Sequence, residues 1–165
     1  MRILRQRDGV SCGPAVAVVA CARLDPDYAA VLADDRRFAE EQLRVHAAVN
    51  RVWPRRLGLT PAGMAHALSA HRPYRWRLFR GRRDTLADVA AAVSSGVPVA
   101  MLIGNVIPRH WVLLVGVAGY EFRCYEPSSG DTLTCSFDAI RRSRLEGLGF
   151  PRPFAFALPT YPSSL

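Results

Sequence analysis

Lysine is absent from this sequence. All 22 basic residues are arginine, set against 14 acidic residues, for a formal net charge of +8 over 165 residues. With alanine abundant as well, the bias looks like that of a GC-rich coding sequence rather than a functional design. The excess positive charge favours acidic partners without proving one. Long hydrophobic runs are also missing. The longest, Trp111 to Tyr120, is broken by Gly116 and Gly119 and falls well short of the roughly 20 residues that span a bilayer. The four cysteines, Cys12, Cys21, Cys124 and Cys135, form no CxxC pair and do not cluster with histidine. A structural zinc site is therefore not expected, nor any other metal or cofactor. No internal repeat or low-complexity tract occurs. What the chain does have is apolar content, at 50% of its residues, and that argues against disorder. The length fits one domain with its own core. We take it as residues 1–158, with a loose Pro- and Ser-containing tail at 159–165.

The N-terminus imitates a signal peptide. Arg2, Arg5 and Arg7 precede an apolar stretch that ends Ala20-Cys21-Ala22. Asp8 and Gly9 interrupt it where the apolar region should begin, and Gly13-Pro14 reads instead as the opening of a helix. A chain this long and this apolar needs no disulfides. The expectation is four free thiols and a cytoplasmic protein, with secretion or lipid anchoring the lesser reading.

The period of the hydrophobic pattern changes midway. Helices are expected first: Pro14 to Arg23, Asp27 to Leu32, Phe38 to Val49 with Leu43, Ala47 and Val49 as its apolar residues, and Thr60 to Ala70 with Thr60 as cap and Pro61 in the first turn. A short edge strand is expected at Arg2 to Leu4. The second half reads as strands at Tyr74 to Leu78, Val97 to Ile103, Trp111 to Val117, Tyr120 to Tyr125, Thr132 to Cys135 and Phe154 to Leu158. Helices are expected at Asp84 to Ser95 and Phe137 to Arg144, and Gly119 fits a hairpin turn. Helices followed by an antiparallel sheet make an α+β protein rather than a doubly wound one.

Three segments carry chemistry. In Gln6-Arg7-Asp8-Gly9-Val10-Ser11-Cys12-Gly13-Pro14-Ala15, a cysteine stands at the mouth of a helix, where unpaired N–H groups and the helix dipole favour a thiolate. A thiol needs that help to act as a nucleophile. Gln6 can offer a side-chain N–H which, with the Cys12 backbone N–H, would hold an oxyanion. In Arg109 through Gly116, His110 begins an apolar strand after a loop, a position suited to a base. In Tyr125-Glu126-Pro127-Ser128-Ser129-Gly130, Glu126 closes the next strand, where its carboxylate can orient the imidazole. Each feature alone also fits an ordinary structural role.

Taken in order, these segments resemble the papain-like cysteine peptidases, and within them the bacteriocin-processing (double-glycine leader) peptidase family and its stand-alone bacterial relatives. Gln6 through Ala15, Gly96-Val97-Pro98-Val99, His110 through Gly116, and Glu126 through Gly130 carry the resemblance. From Asp25 to Arg83 the match is only in element type. The family usually has aspartate where this chain has Glu126. The resemblance implies a papain-like fold, with the nucleophile's helix packed on an antiparallel sheet that bears the base. It also implies a catalytic set of Cys12, His110, Glu126 and Gln6 and a peptide or protein substrate, which the net charge would favour being acidic. The same site with an amine or thiol acceptor would be an acyl or peptidyl transferase. Loss of catalysis would leave a peptide-binding module, a reading whose one support is the exchange of aspartate for Glu126.

The remaining motifs read as structure. His46, His66 and His71 belong to helix surfaces. The six arginines from Arg72 to Arg83 interleave with Tyr74, Trp76 and Phe79, a pattern that single-stranded nucleic acid could use. Strand alternation instead assigns the aromatics to the core and the arginines to a solvated face, so no nucleic acid is expected.

Overall fold

The computed structural model describes residues 12–32, 34–49 and 59–161. Four helices come first: α1 (Cys12–Leu24), α2 (Pro26–Val31), α3 (Asp35–Val49) and α4 (Pro61–Leu68). They are followed by β1 (Tyr74–Leu78), α5 (Ala87–Ser94), β2 (Val99–Gly104), β3 (Pro108–Ala118), β4 (Glu121–Tyr125), β5 (Thr132–Ser136), α6 (Phe137–Arg141) and β6 (Arg152–Pro159). Short 3₁₀ turns lie at Gly81–Arg83 and Glu146–Leu148. The expected edge strand at Arg2 to Leu4 and the end of the tail, 162–165, lie outside the described residues.

The strands form one antiparallel sheet in the order β1-β6-β2-β3-β4-β5. Both faces are covered. Ala100, Leu102, Trp111, Leu113, Ala155 and Ala157 face α1 and α4, with α3 packed against those two helices, and the alanines let the helices approach closely. On the other face Met101, Ile103, Val112, Leu114 and Phe156 meet Val89 and Val93 of α5 and Ile140 of α6. Burial on both sides explains why β2 and β3 read as unbroken apolar runs rather than as alternation. Gly119, at φ +59°, turns β3 into β4.

The local chemistry of the helices follows their surroundings. α1 is a run of small apolar residues, and Cys12 through Val18, Ala20 and Cys21 are buried in it. A helix without a polar face must be enclosed, and α1 is wedged between the sheet and the other helices. α4 is capped as expected: Thr60 Oγ1 accepts from Gly63 N at 3.0 Å, and Pro61 follows. α3 buries Phe38, Gln42 and Val45, not the expected Leu43 and Ala47, which are exposed. The i, i+4, i+7 stripe runs through Gln42, whose aliphatic stem takes an apolar slot.

β1 also overturns an expectation. Tyr74 is buried, but Trp76 is 45% and Leu78 64% exposed, whereas Arg77 is 8% exposed. The buried arginine donates to two carboxylates: Nη1 to Asp84 at 2.7 Å, and Nε and Nη2 to Asp88 at 2.7 Å each. Its guanidinium lies 5.0 Å from the centre of the Phe156 ring. Since β1 is the edge strand, the helices cover only its Tyr74 end. Pro159, read as the first tail residue, pairs with Tyr74, and Thr160 N donates to Pro73 O at 2.8 Å.

Candidate active site

Cys12 is the first residue of α1 and is buried, at the positive end of the helix dipole. His110 stands near the start of β3, just after the β2–β3 loop. Glu126 directly follows β4, the strand paired with β3. The fold brings these three together. His110 Nε2 lies 2.6 Å from Glu126 Oε1, and the Cys12 thiol is close enough to the imidazole to favour its protonated form. With Nε2 engaged by the carboxylate, Nδ1 is the nitrogen left for the thiol. Gln6 lies outside the described residues.

The carboxylate is held by its own turn. Ser128 N donates to Glu126 Oε1 at 3.1 Å and Ser129 N to Oε2 at 2.9 Å. The backbone closes the same turn, with Glu126 N donating to Asp131 O at 2.9 Å and Gly130 N to Glu126 O at 2.8 Å. Burial opposes ionisation of Glu126, but the imidazole and these two N–H groups outweigh it and lower its pKa to about 2. Burial likewise works against a charged His110. The nearby Cys12 side chain and the hydrogen-bonded Glu126 carboxylate prevail and raise its pKa to about 9. The site therefore holds a carboxylate and an imidazolium near neutrality. The additional methylene of glutamate, relative to aspartate, is absorbed by a turn built around its carboxylate.

Two further groups position the pair, and the sequence reading did not find them. The Phe150 ring lies 5.9 Å from the His110 ring, tilted by 40°. Leu59 joins the two halves of the site. Its carbonyl accepts from Trp111 Nε1 at 2.9 Å, next to His110. A Cβ on Gly13, next to Cys12, would come within 3.0 Å of Leu59 Cβ. A buried indole N–H requires an acceptor, and that requirement was the available signal; nothing local to Leu59 names it as the partner.

The other histidines stay outside this cluster. His71 Nδ1 is 3.3 Å from Asp25 and its ring packs on Tyr28, and His66 is on the exposed side of α4. Cys21, Cys124 and Cys135 are buried free thiols elsewhere, with Cys124 Sγ 3.3 Å from Cys135 Sγ. Among the described residues, no group of three or more His, Cys, Asp and Glu is arranged to hold a metal. No described helix is long and apolar enough to cross a membrane.

No protein-family profile and no curated protein matches the sequence. Solved structures do. The crystal structure of a double glycine motif protease from an AMS/PCAT transporter, in complex with the leader peptide, shares 16% identity. It covers 96% of this chain and 91% of its own, with a TM-score of 0.50. The peptidase domain of Streptococcus ComA, a bi-functional ABC transporter involved in quorum sensing, shares 15% identity over 95% of this chain and 97% of its own, with a TM-score of 0.53. Over nearly its whole length, this chain has the papain-like fold of the double-glycine peptidase domains.

Proposed function

We propose that the protein is a cysteine peptidase that cleaves a peptide bond through an acyl-thioester on Cys12. The observation that carries this reading is the Cys12–His110–Glu126 arrangement, a thiol at a helix N-terminus beside an imidazole whose far nitrogen is fixed at 2.6 Å by a carboxylate. The likeness in fold to double-glycine peptidase domains supports it, and directs attention to leader-type peptides cut after small residues. The contact between Glu126 and His110 supports this reading over a silent binding module.

In this mechanism the Cys12 proton already rests on His110 Nδ1, making the imidazolium, and the thiolate attacks the carbonyl carbon. The Cys12 backbone N–H and the Gln6 side chain hold the oxyanion. Collapse breaks the C–N bond as the imidazolium protonates the leaving amine. Water then attacks the thioester, with His110 as base and Cys12 as the leaving group. Glu126 stabilises each imidazolium and fixes the ring orientation, and does not itself take a proton.

The test is thiol selectivity. Burial pushes the Cys21 thiol up to about 12, and the contact with Cys135 together with burial raises Cys124 well above the usual thiol range. Limiting iodoacetamide at pH 7, followed by peptide mapping, is expected to label Cys12 first and His110→Ala to slow that labelling. Faster labelling of Cys21, Cys124 or Cys135 would overturn the assignment.

A further inference from the structure

β1 is an open edge of the sheet, and half of its backbone faces no other strand. Phe79 N donates to Phe154 O at 2.9 Å and Thr160 N to Pro73 O at 2.8 Å, so the odd-numbered residues bond to β6. By the alternation of a strand, the N–H and C=O groups of Tyr74, Trp76 and Leu78 point the other way. Local groups close the two ends of this row. Tyr74 N donates to Ser69 Oγ at 3.1 Å, and Leu78 O accepts from Arg77 Nη1 at 3.1 Å. Between them, the N–H and C=O of Trp76 and the N–H of Leu78 meet no partner among the described residues. We propose that this edge docks an extended segment of a partner protein, in which acidic residues alternate with apolar ones.

The chemistry of the segment follows from the side chains of the edge. Trp76 and Leu78 share a face with Ala157 and Ala155, their partners on β6, and both are exposed. Arg75 projects from the opposite face, 3.8 Å from Asp88. Past Leu78 the chain turns through Gly81–Arg83. There Arg80, Arg82 and Arg83 are exposed, with no carboxylate partner among the described residues. The nearby acids, Asp84 and Asp88, are held by Arg77. The edge therefore carries unbalanced positive charge. An added strand alternates as β1 does. Its apolar residues fall beside Trp76 and Leu78, and its acidic residues fall on the side of Arg75. The open main-chain groups supply affinity, and the two rows of side chains select the sequence.

The same features disfavour other occupants. Two-fold pairing of β1 with a second copy would set Arg75 against Arg77 across the axis and bring two arginine-rich turns together, and charge of this kind is how sheet edges reject self-association. A single-stranded nucleic acid stacks its bases on rings that lie within a nucleotide's reach of the cations holding its phosphates. Here the strand sends Trp76 and Arg75 to opposite faces, and the Arg77 guanidinium is already engaged. The docking edge is also separate from the catalytic cluster. β6 and β2 stand between β1 and β3, the strand of His110, a distance of about 14 Å at the usual strand spacing.

Fluorescein-labelled peptides test this by anisotropy. The probe is a short repeat of alternating glutamate and valine. One control replaces glutamate by lysine, and another is the probe N-methylated at each valine, the residue that would pair with Trp76. The glutamate repeat is expected to bind roughly 10-fold more tightly than the lysine repeat, and N-methylation to abolish binding. Amide exchange at Trp76 and Leu78 is expected to slow in its presence. Replacing Arg80, Arg82 and Arg83 together by glutamate should reverse the preference between the two repeats. Leu78→Pro, which removes an outward N–H at a position where an edge strand tolerates proline, should weaken both. Unchanged iodoacetamide labelling of Cys12 shows that each variant is folded, and the exchange measurement on the unaltered protein needs no variant. Equal binding of the two repeats, no binding of either, or binding that leaves Trp76 and Leu78 exchanging as before would overturn the proposal. So would oligothymidylate protecting the same amides at lower concentration, or a dimer of this chain that the probe fails to dissociate. Slower Cys12 labelling with the probe bound would place it at the catalytic cluster and overturn the separate edge. None of these results bears on the peptidase reading, which the thiol mapping above decides.

Discussion

At the scale of single residues, the pair His110–Glu126 sets the pH behaviour. The imidazolium must persist until it protonates the leaving amine, so kcat/KM is expected to fall as pH rises through about 9, where His110 loses its proton. Glu126→Gln removes the negative charge and leaves the amide facing N–H groups that wanted an acceptor. The alkaline limb should then move to lower pH, with turnover down by roughly 10- to 10³-fold. Glu126→Asp keeps the charge on a shorter stem and should lose less. Single-turnover acylation of Cys12 across pH measures all three. Identical rates and identical limbs would reduce Glu126 to a turn residue. The stability effect has a definite sign. Because the folded pKa of His110 is raised, its contribution is complete below the unfolded value near 6.5 and is lost as pH rises toward 9. Glu126, depressed to about 2, contributes above its unfolded value and fades only as pH falls through that range.

At the scale of elements, the nucleophile and the base sit on different pieces, α1 and β3, and something must hold them in register. Leu59 does so, packed on Gly13 and accepting from Trp111. Trp111→Phe keeps most of the ring and strands the Leu59 carbonyl. It is expected to cost about 1–3 kcal/mol in urea denaturation. It should also lower single-turnover acylation by roughly 10-fold, short of the 10²-fold loss that a 1 Å displacement brings. The Cys, His and Glu positions were legible in the sequence because each stands at an element boundary marked by glycine or proline. Leu59 was not legible, because a backbone carbonyl acceptor has no residue signature. β1 was misread for a related reason. Alternation says which residues share a face, not whether that face is covered, and at a sheet edge the cover ends. Arg77 is buried because Asp84 and Asp88, seven and eleven residues later, surround it. Burial alone would disfavour its charge, yet the two carboxylates hold it firmly protonated, and they are themselves kept below the usual carboxylate range. Arg77→Met would leave two anions facing each other, and is expected to destabilise by about 3–5 kcal/mol at pH 7 in urea denaturation. The deficit should shrink as pH falls and the carboxylates protonate.

At the scale of the whole molecule, the sheet is the organising element. Its two covered faces form separate apolar cores, and the candidate site lies where β3 and β4 meet the start of α1. The α+β order was legible because helical period dominates the first half of the chain and strand period the second. The burial of both sheet faces was not, since a continuous apolar run does not say what covers it. Charge acts at this scale too. With +8 spread over an 18.2 kDa protein and no lysine to carry any of it, the field comes from arginine guanidinium groups. Several of them sit in local ion pairs, such as Arg36 with Glu40, Arg44 with Glu41 and Arg142 with Asp138, and these cancel at short range. What remains is the surplus, and it acts over a Debye length, about 10 Å at 0.1 M salt and about 3 Å at 1 M. An acidic peptide substrate should therefore be captured more slowly as salt rises, with the change in kcat/KM rather than in kcat, because steering affects encounter and not the bond-breaking step. A neutral peptide of the same length provides the reference. Alkylation of Cys12 by uncharged iodoacetamide should stay flat over the same range, which separates steering from any salt effect on the thiol. If the acidic and neutral peptides respond to salt alike, the surplus charge plays no part in substrate choice, and the arginine content reflects composition alone.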